Sequence, residues 1–163
     1  MANTCVPMIS CDASATLRQH VTTDELTRFA QRYAKAWCSQ NPESVAAFFA
    51  ENGSLKVNDG APAVGRTAIA EVARRFMRDL PDMIVTFEKF EPRADRTAFN
   101  WTLTGTYVGT GNHVRISGYE LWKIDNDGLI GDSLGHFDTE EYERQLKGSD
   151  EGSVTSDENN AKL

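Results

Sequence analysis

No uninterrupted apolar run in the 163 residues approaches the roughly twenty that a membrane-spanning helix needs. Positive charge is also short, with 17 Lys and Arg against 24 Asp and Glu for a formal net charge of −7. A sequence-independent grip on nucleic acid or an anionic membrane requires clustered cations, so neither is expected as a partner. Three histidines and three cysteines, without metal-ligand spacing, argue against a metal site. Cys5, Cys11 and Cys38 read as reduced thiols in a reducing compartment, with a Cys5–Cys11 link left open. The first sixteen residues hold no Lys or Arg and no proper apolar h-region, so they do not read as a signal peptide. The expected location is cytoplasmic. A peroxisomal alternative rests only on Ala161-Lys162-Leu163, a near-match to a Ser-Lys-Leu terminus.

What is present suits one soluble globular domain: 40% hydrophobic and 25% charged residues in a chain long enough for a single sizeable core. Residues 1–20 show no sustained period and read as a flexible N-terminal arm, 21–147 as the domain, and 148–163 as an acidic disordered tail. Thr22-Thr-Asp-Glu25 has the form of a capping box. It precedes a helix with the apolar stripe Leu26, Phe29, Ala30, Tyr33 and Trp37. Asn41-Pro42 opens a second short helix predicted to carry Val45, Phe48 and Phe49 and to stop at Asn52-Gly53. Ser54–Asp59 alternates as a strand, with Leu55, Val57 and Asp59 on one face. A third helix near 66–80 directs Ile69, Val72, Phe76, Met77 and Leu80 inward and ends at Pro81.

The remainder reads as strands near 83–90, 97–107, 113–124 and 129–137. A final short helix is capped by Asp138 and stopped by Gly148. Val108-Gly-Thr-Gly-Asn112 joins two strands and precedes no helix, so it is a hairpin loop and not a phosphate-binding turn. Asp125-Asn-Asp-Gly128 lacks the later Glu of a calcium loop and is a tight turn. Helices followed by antiparallel strands define an α+β fold, with the helices over one sheet face. The long side chains on the other face suggest a covering second subunit.

In 113–124, period two places Val114, Ile116, Gly118, Glu120, Trp122 and Ile124 on one face. Five suit a core, and the sixth is a carboxylic acid. An ionised acid without a partner costs several kcal/mol in such a place, so it is neutralised, paired or used. A sheet edge or a bulge turning Glu120 to solvent is the structural alternative.

The order of these elements, with the strings Gln31-Arg32-Tyr33-Ala-Lys-Ala-Trp37, Val45-Ala-Ala-Phe-Phe-Ala-Glu-Asn-Gly53, Val64-Gly-Arg-Thr-Ala-Ile69 and Gly135-His-Phe-Asp138, resembles the SnoaL-like branch of the nuclear transport factor 2-like superfamily over residues 22–147. The resemblance implies a cone-shaped α+β barrel of cystatin-like order, in which a curved mixed or antiparallel sheet wraps around N-terminal helices. It also implies a deep apolar pocket and a homodimer formed through the outer sheet face. Relatives include ketosteroid isomerases, polyketide cyclases, epoxide hydrolases and dehydratases, together with proteins that carry out no chemistry, so fold alone does not assign function.

In ketosteroid isomerases a first-helix tyrosine in the string Gln-Arg-Tyr donates to the developing oxyanion, and Gln31-Arg32-Tyr33 reproduces that string. Their base is an aspartate ending the first strand. Asp59 stands at a comparable place, although an ungapped comparison falls on Val57, about 6–7 Å away along a strand. Their second oxyanion donor, a protonated aspartate, corresponds to Glu120 by counting back from Gly128.

Alternation also sends Asp59 and Glu120 into one interior, where paired acids split their pKa values, one staying protonated and the other acting as base. The expectation is a cofactor-independent enzyme that moves protons on a small apolar ligand by isomerisation, cyclisation, dehydration or hydration. Asp59 would be the base or water-orienting group, Glu120 the acid or oxyanion donor, and Tyr33 the supporting donor; the structural alternatives are a plain turn role for Asp59 in Asn58-Asp-Gly60 and a packing role for Tyr33 on its helix stripe. Trp37, Phe49, Phe87, Trp101, Trp122 and Phe137 would line the pocket, or fill it. His136 beside Asp138 is a further candidate base, but period two from Phe137 places it on the outer face. The alternative function is a non-catalytic ligand-binding or dimeric association module.

Overall fold

A computed structural model describes residues 21–148. The arm 1–20 with Cys5 and Cys11, and the tail from 149 onward with its three terminal residues, lie outside the described residues. The elements are α1 (Thr23–Cys38), α2 (Pro42–Ala46), β1 (Phe49–Val57), β2 (Ala63–Val64), α3 (Arg66–Asp79), β3 (Ile84–Arg93), β4 (Arg96–Thr106), β5 (His113–Ile124), β6 (Ile130–Phe137) and α4 (Thr139–Lys147). The six strands form one curved, unclosed sheet in the order β2-β1-β6-β5-β4-β3. β1 runs parallel to β6 and every other pairing is antiparallel. The α+β cone is therefore a mixed sheet around helices.

Capping chemistry sets the first helix. Thr22 Oγ1 accepts from the Glu25 backbone N–H at 3.2 Å, and the Glu25 carboxylate accepts from Thr22 N–H at 2.9 Å, so two donors at the helix start are satisfied reciprocally. One face of α1 then buries Ala30, Tyr33, Ala34, Ala36 and Trp37 against the sheet. Cys38 ties the helix end to β3, its Sγ accepting from Val85 N–H at 3.2 Å.

The second helix is shorter than its sequence predicts. It ends at Ala46, and Phe49 already begins β1, which runs through Asn52-Gly53. The Asn-Gly pair marks a bulge and not a helix stop. Phe49 and Ser54 are five positions apart, while their β6 partners, Ile130 and Asp132, are two apart. A Cβ at Gly53 would sit 2.9 Å from the Ile130 carbonyl oxygen, so the close approach of the bulged strand to β6 requires glycine.

Between helices and sheet lies an aromatic core. Phe99 stacks on Trp122 with centroids 4.6 Å apart and on Phe87 at 5.5 Å, and Tyr33 meets Trp122 edge-on at 5.1 Å. Phe49, Phe99 and Trp122 are essentially inaccessible. Burial of large aromatic rings dominates such a core, and edge and offset geometries add to the area they hide. No helix among the described residues is long and apolar enough to cross a membrane.

Candidate functional site: a buried glutamate beneath the helices

The β5 alternation holds in three dimensions. Val114, Ile116, Glu120 and Trp122 are buried, while His113, Arg115, Ser117, Tyr119 and Lys123 are exposed. Glu120 therefore faces the helices at only 7% exposure, and no bulge turns it outward.

Three donors converge on one of its oxygens. Oε2 accepts from Ser133 Oγ at 2.7 Å, Trp122 Nε1 at 2.9 Å and the Tyr33 hydroxyl at 3.1 Å. Oε1 receives only a 3.3 Å contact, from the same Tyr33 hydroxyl. The carboxyl is thus anchored at one end and holds most of its spare hydrogen-bonding capacity at the other. Burial pushes its pKa up, and the hydrogen bonds from Trp122, Ser133 and Tyr33 pull it back only in part, so it lies above the ordinary glutamate value.

Glu120 lines a cavity of about 50 Å³ with Trp37, Leu55, Val57, Phe76, Val85, Trp101, Leu103, Ile116, Gly135 and Phe137. An outer hollow of about 450 Å³ between β1, α3 and Tyr142 of α4 shares Leu55, Val57 and Phe76 with it. The inner space alone suits water-sized occupants, whereas the outer hollow falls within the roughly 300–1,000 Å³ of small-molecule sites.

Trp37, Trp101 and Phe137 of the predicted lining stand at this cavity. Phe49 and Trp122 do not: they are consumed by the aromatic core. Phe87 lies instead along an open hollow beside α1, among Glu25, Arg28, Arg32 and Lys35. Tyr33 is wholly buried behind Glu120, with its hydroxyl turned onto that carboxyl and not into the cavity. Burial, and after it the adjacent Glu120 carboxyl, holds the Tyr33 hydroxyl well above the usual phenol range.

Asp59 is the main correction. It is exposed in the turn after β1 and outside the cavity, and Val57 is the last residue of that strand on the inner face. The cause is Asn58, which takes φ of 48°. Its Oδ1 accepts from Phe137 N–H at 2.9 Å, and its Nδ2 donates to Thr139 Oγ1 at 2.8 Å. Those bonds to the end of β6 and the start of α4 break the period of two one residue before the aspartate. The two acids are therefore not brought together.

His136 sits on the outer face, its ring against Tyr119 at 5.0 Å, where alternation placed it. Asp138 caps α4 by accepting from Glu141 N–H at 3.0 Å. Among the described residues no group of three His, Cys, Asp or Glu side chains could hold a metal ion.

Ser133 escaped notice in the sequence, although period two from Phe137 through Gly135 leads to it. Trp101 carries a second unforeseen feature. It is 9% exposed, and its Nε1 has no hydrogen-bond partner. An unpaired buried donor costs about 1–3 kcal/mol. Its ring lies over Gly118, where a Cβ would sit 2.6 Å from Cζ2 and 2.5 Å from the His136 carbonyl oxygen. The glycine across the ladder thus makes room for the indole.

The SnoaL-like domain family matches residues 30–132. No curated protein matches the chain. Among solved structures, a protein from Catenulispora acidiphila with a ketosteroid isomerase-like fold, in complex with trimethylamine, superposes with TM-score 0.67 at 19% identity, covering 74% of this chain and 93% of that one. A candidate SnoaL-like polyketide cyclase from Jannaschia has TM-score 0.67 at 14% identity, covering 81% and 97%. TerC, co-crystallised with polyporic acid, has TM-score 0.64 at 15% identity, covering 75% and 98%. At these identities the likeness concerns the fold.

Proposed function

Because the chain belongs to the SnoaL-like family, whose match spans residues 30–132, we propose that it acts on a small apolar molecule by proton transfer through one carboxyl group, Glu120. The observation that carries this reading is the asymmetry of that group. Three donors hold Oε2, and Oε1 keeps its capacity at a residue lining the cavity. A raised pKa brings both protonation states of a carboxyl closer to working pH, which is the condition for taking a proton and returning it.

With Asp59 outside the cavity, Glu120 fills both roles. It accepts a proton from an acidic C–H or O–H of the ligand, then delivers it to another atom of the same molecule. Tyr33, Ser133 and Trp122 position the carboxyl. Isomerisation, cyclisation, dehydration and hydration all contain such a step, and no cofactor is called for. Solved relatives hold trimethylamine in one case and polyporic acid in another, which supports a small organic occupant without naming it.

A second reading is binding without turnover. It is favoured by an inner cavity of only about 50 Å³ and by the lack of a second titratable residue lining it. Deuterium exchange separates the two. Cyclohexanone in D₂O, followed by NMR, should lose its α-protons faster in the presence of the protein. Glu120→Gln should reduce that acceleration by about 10²–10⁴-fold, the usual contribution of a positioned acid or base. Binding of cyclohexanone with no acceleration would leave the binding module standing.

The same proposal sets a second copy against the outer sheet face. Its support is the exposure of Ile84 at 56% and Tyr119 at 37%, large apolar residues on outward-facing strand positions. Sedimentation of the wild type beside Tyr119→Lys tests it: a dimer that the lysine splits is expected, and a wild-type monomer refutes it.

A further inference from the structure

Three side chains with polar atoms stand in the otherwise apolar lining of the cavity: Glu120 and the indoles of Trp37 and Trp101, of which Trp101 Nε1 is buried with no hydrogen-bond partner. Buried donors in folded proteins nearly always have a partner, and those without one call for an explanation. Trp122, by contrast, donates to Glu120 at 2.9 Å. Trp101 is held by Gly118 and by Phe137, whose ring lies 6.2 Å away, and neither offers an acceptor side chain.

We infer that Trp101 is the specificity-determining donor of this site, and that the ligand carries a hydrogen-bond-accepting oxygen, as in a ketone, ether or phenol, on a compact apolar body. The inference rests on the small-molecule reading above and narrows its ligand class. An indole N–H cannot accept, so a cationic ammonium group is disfavoured beside it. A hydrocarbon would leave the donor as unpaired as it now is, so it gains nothing from Trp101 beyond packing. The apolar remainder of the ligand packs against Leu55, Val57 and Phe76, the residues that the cavity shares with the outer hollow. The chief competing explanation is a trapped water, for which a 50 Å³ cavity is large enough.

A matched pair of probes tests this: cyclohexanone, and methylenecyclohexane, in which a CH₂ replaces the oxygen. The readout is the three indole N–H signals of the ¹⁵N-labelled full chain, one for each tryptophan. The Trp101 signal is assigned by its loss in Trp101→Phe. Cyclohexanone should move that proton downfield while methylenecyclohexane leaves it in place. Trp101→Phe should weaken cyclohexanone about tenfold, the scale of one hydrogen bond, and leave methylenecyclohexane unchanged.

Equal shifts from both probes, or no shift from either, overturn the inference in favour of a packing role or a bound water. Equal loss of both affinities in Trp101→Phe does the same. The wild-type titration stands even if the variant fails to fold. Cyclohexanone held by Trp101 without α-exchange would refute the proton-transfer reading alone, whereas exchange with no Trp101 response would refute this inference alone.

Discussion

Replacing Glu120 by Gln changes how stability depends on pH, and the direction follows from the site. Glutamine keeps one oxygen for the three donors on Oε2 and places its amide nitrogen where Oε1 stood, so shape and most hydrogen bonds survive. It removes the titration. In the wild type, burial raises the Glu120 pKa above 4.5, outweighing Trp122, Ser133 and Tyr33. Below the unfolded pKa both states carry the proton and burial of the acid exacts no pH-dependent penalty. As pH rises from there to the folded pKa, the unfolded chain releases its proton first and wild-type stability falls. The limiting slope is about 1.4 kcal/mol per pH unit, and it levels off once the folded carboxyl has also ionised. Urea unfolding from pH 4 to 8, followed by tryptophan fluorescence on both proteins, isolates this contribution, because titrations distant from the mutation cancel in the difference. Glu120→Gln should gain on the wild type as pH rises from 4.5, then run parallel to it. A flat difference would mean that the three donors balance desolvation, and a wild type that gains with pH that they outweigh it. In that case the carboxylate is an ordinary stabilised ion and not a proton-exchanging group.

Three further outcomes follow from the geometry. Ser133→Ala removes the shortest hydrogen bond to Glu120, so the glutamate pKa should rise further, read by carboxyl infrared titration, with about 1–2 kcal/mol of stability lost. Gly118→Ala drives a methyl into the Trp101 ring at 2.6 Å and the His136 carbonyl at 2.5 Å; the carbonyl is backbone and cannot swing away, so thermal unfolding should show a loss of about 1–3 kcal/mol and the Trp101 indole signal should move. Asp59→Asn alters an exposed turn residue and should leave melting temperature, cyclohexanone exchange and the Glu120 titration as they were; a loss of exchange with folding intact would return this aspartate to the site.

Local chemistry was written plainly. The capping box at Thr22, the Asp138 cap, the period of two through β5 and the glycine-containing hairpin before it are properties of short stretches, and each stands where the residues put it. Glu120 could be singled out as the acid on an apolar face for the same reason. Ser133 was within reach of that argument, since it shares a face with Gly135 and Phe137. The end of the first strand was legible only as two alternatives, an inward Asp59 by alternation or a turn at Asn58-Asp-Gly60. Val57 and Asp59 obey one alternation until Asn58 bonds to Phe137 and Thr139, about eighty residues away in sequence. Gly53 misled in the same way, because a helix stop and a bulge facing Ile130 use the same Asn-Gly pair.

By itself the sequence determined the α+β class, the family likeness, and the identity and face of the buried acid, because caps and periods act within a few residues and do not depend on what lies across the fold. Only the tertiary structure decided that Asp59 stays in solvent, that Phe49 and Trp122 fill the core while Trp37, Trp101 and Phe137 stand at the cavity, and that one indole N–H has no partner. Those outcomes depend on volume and on hydrogen-bond partners brought together from distant segments, and no periodicity within a single strand encodes them.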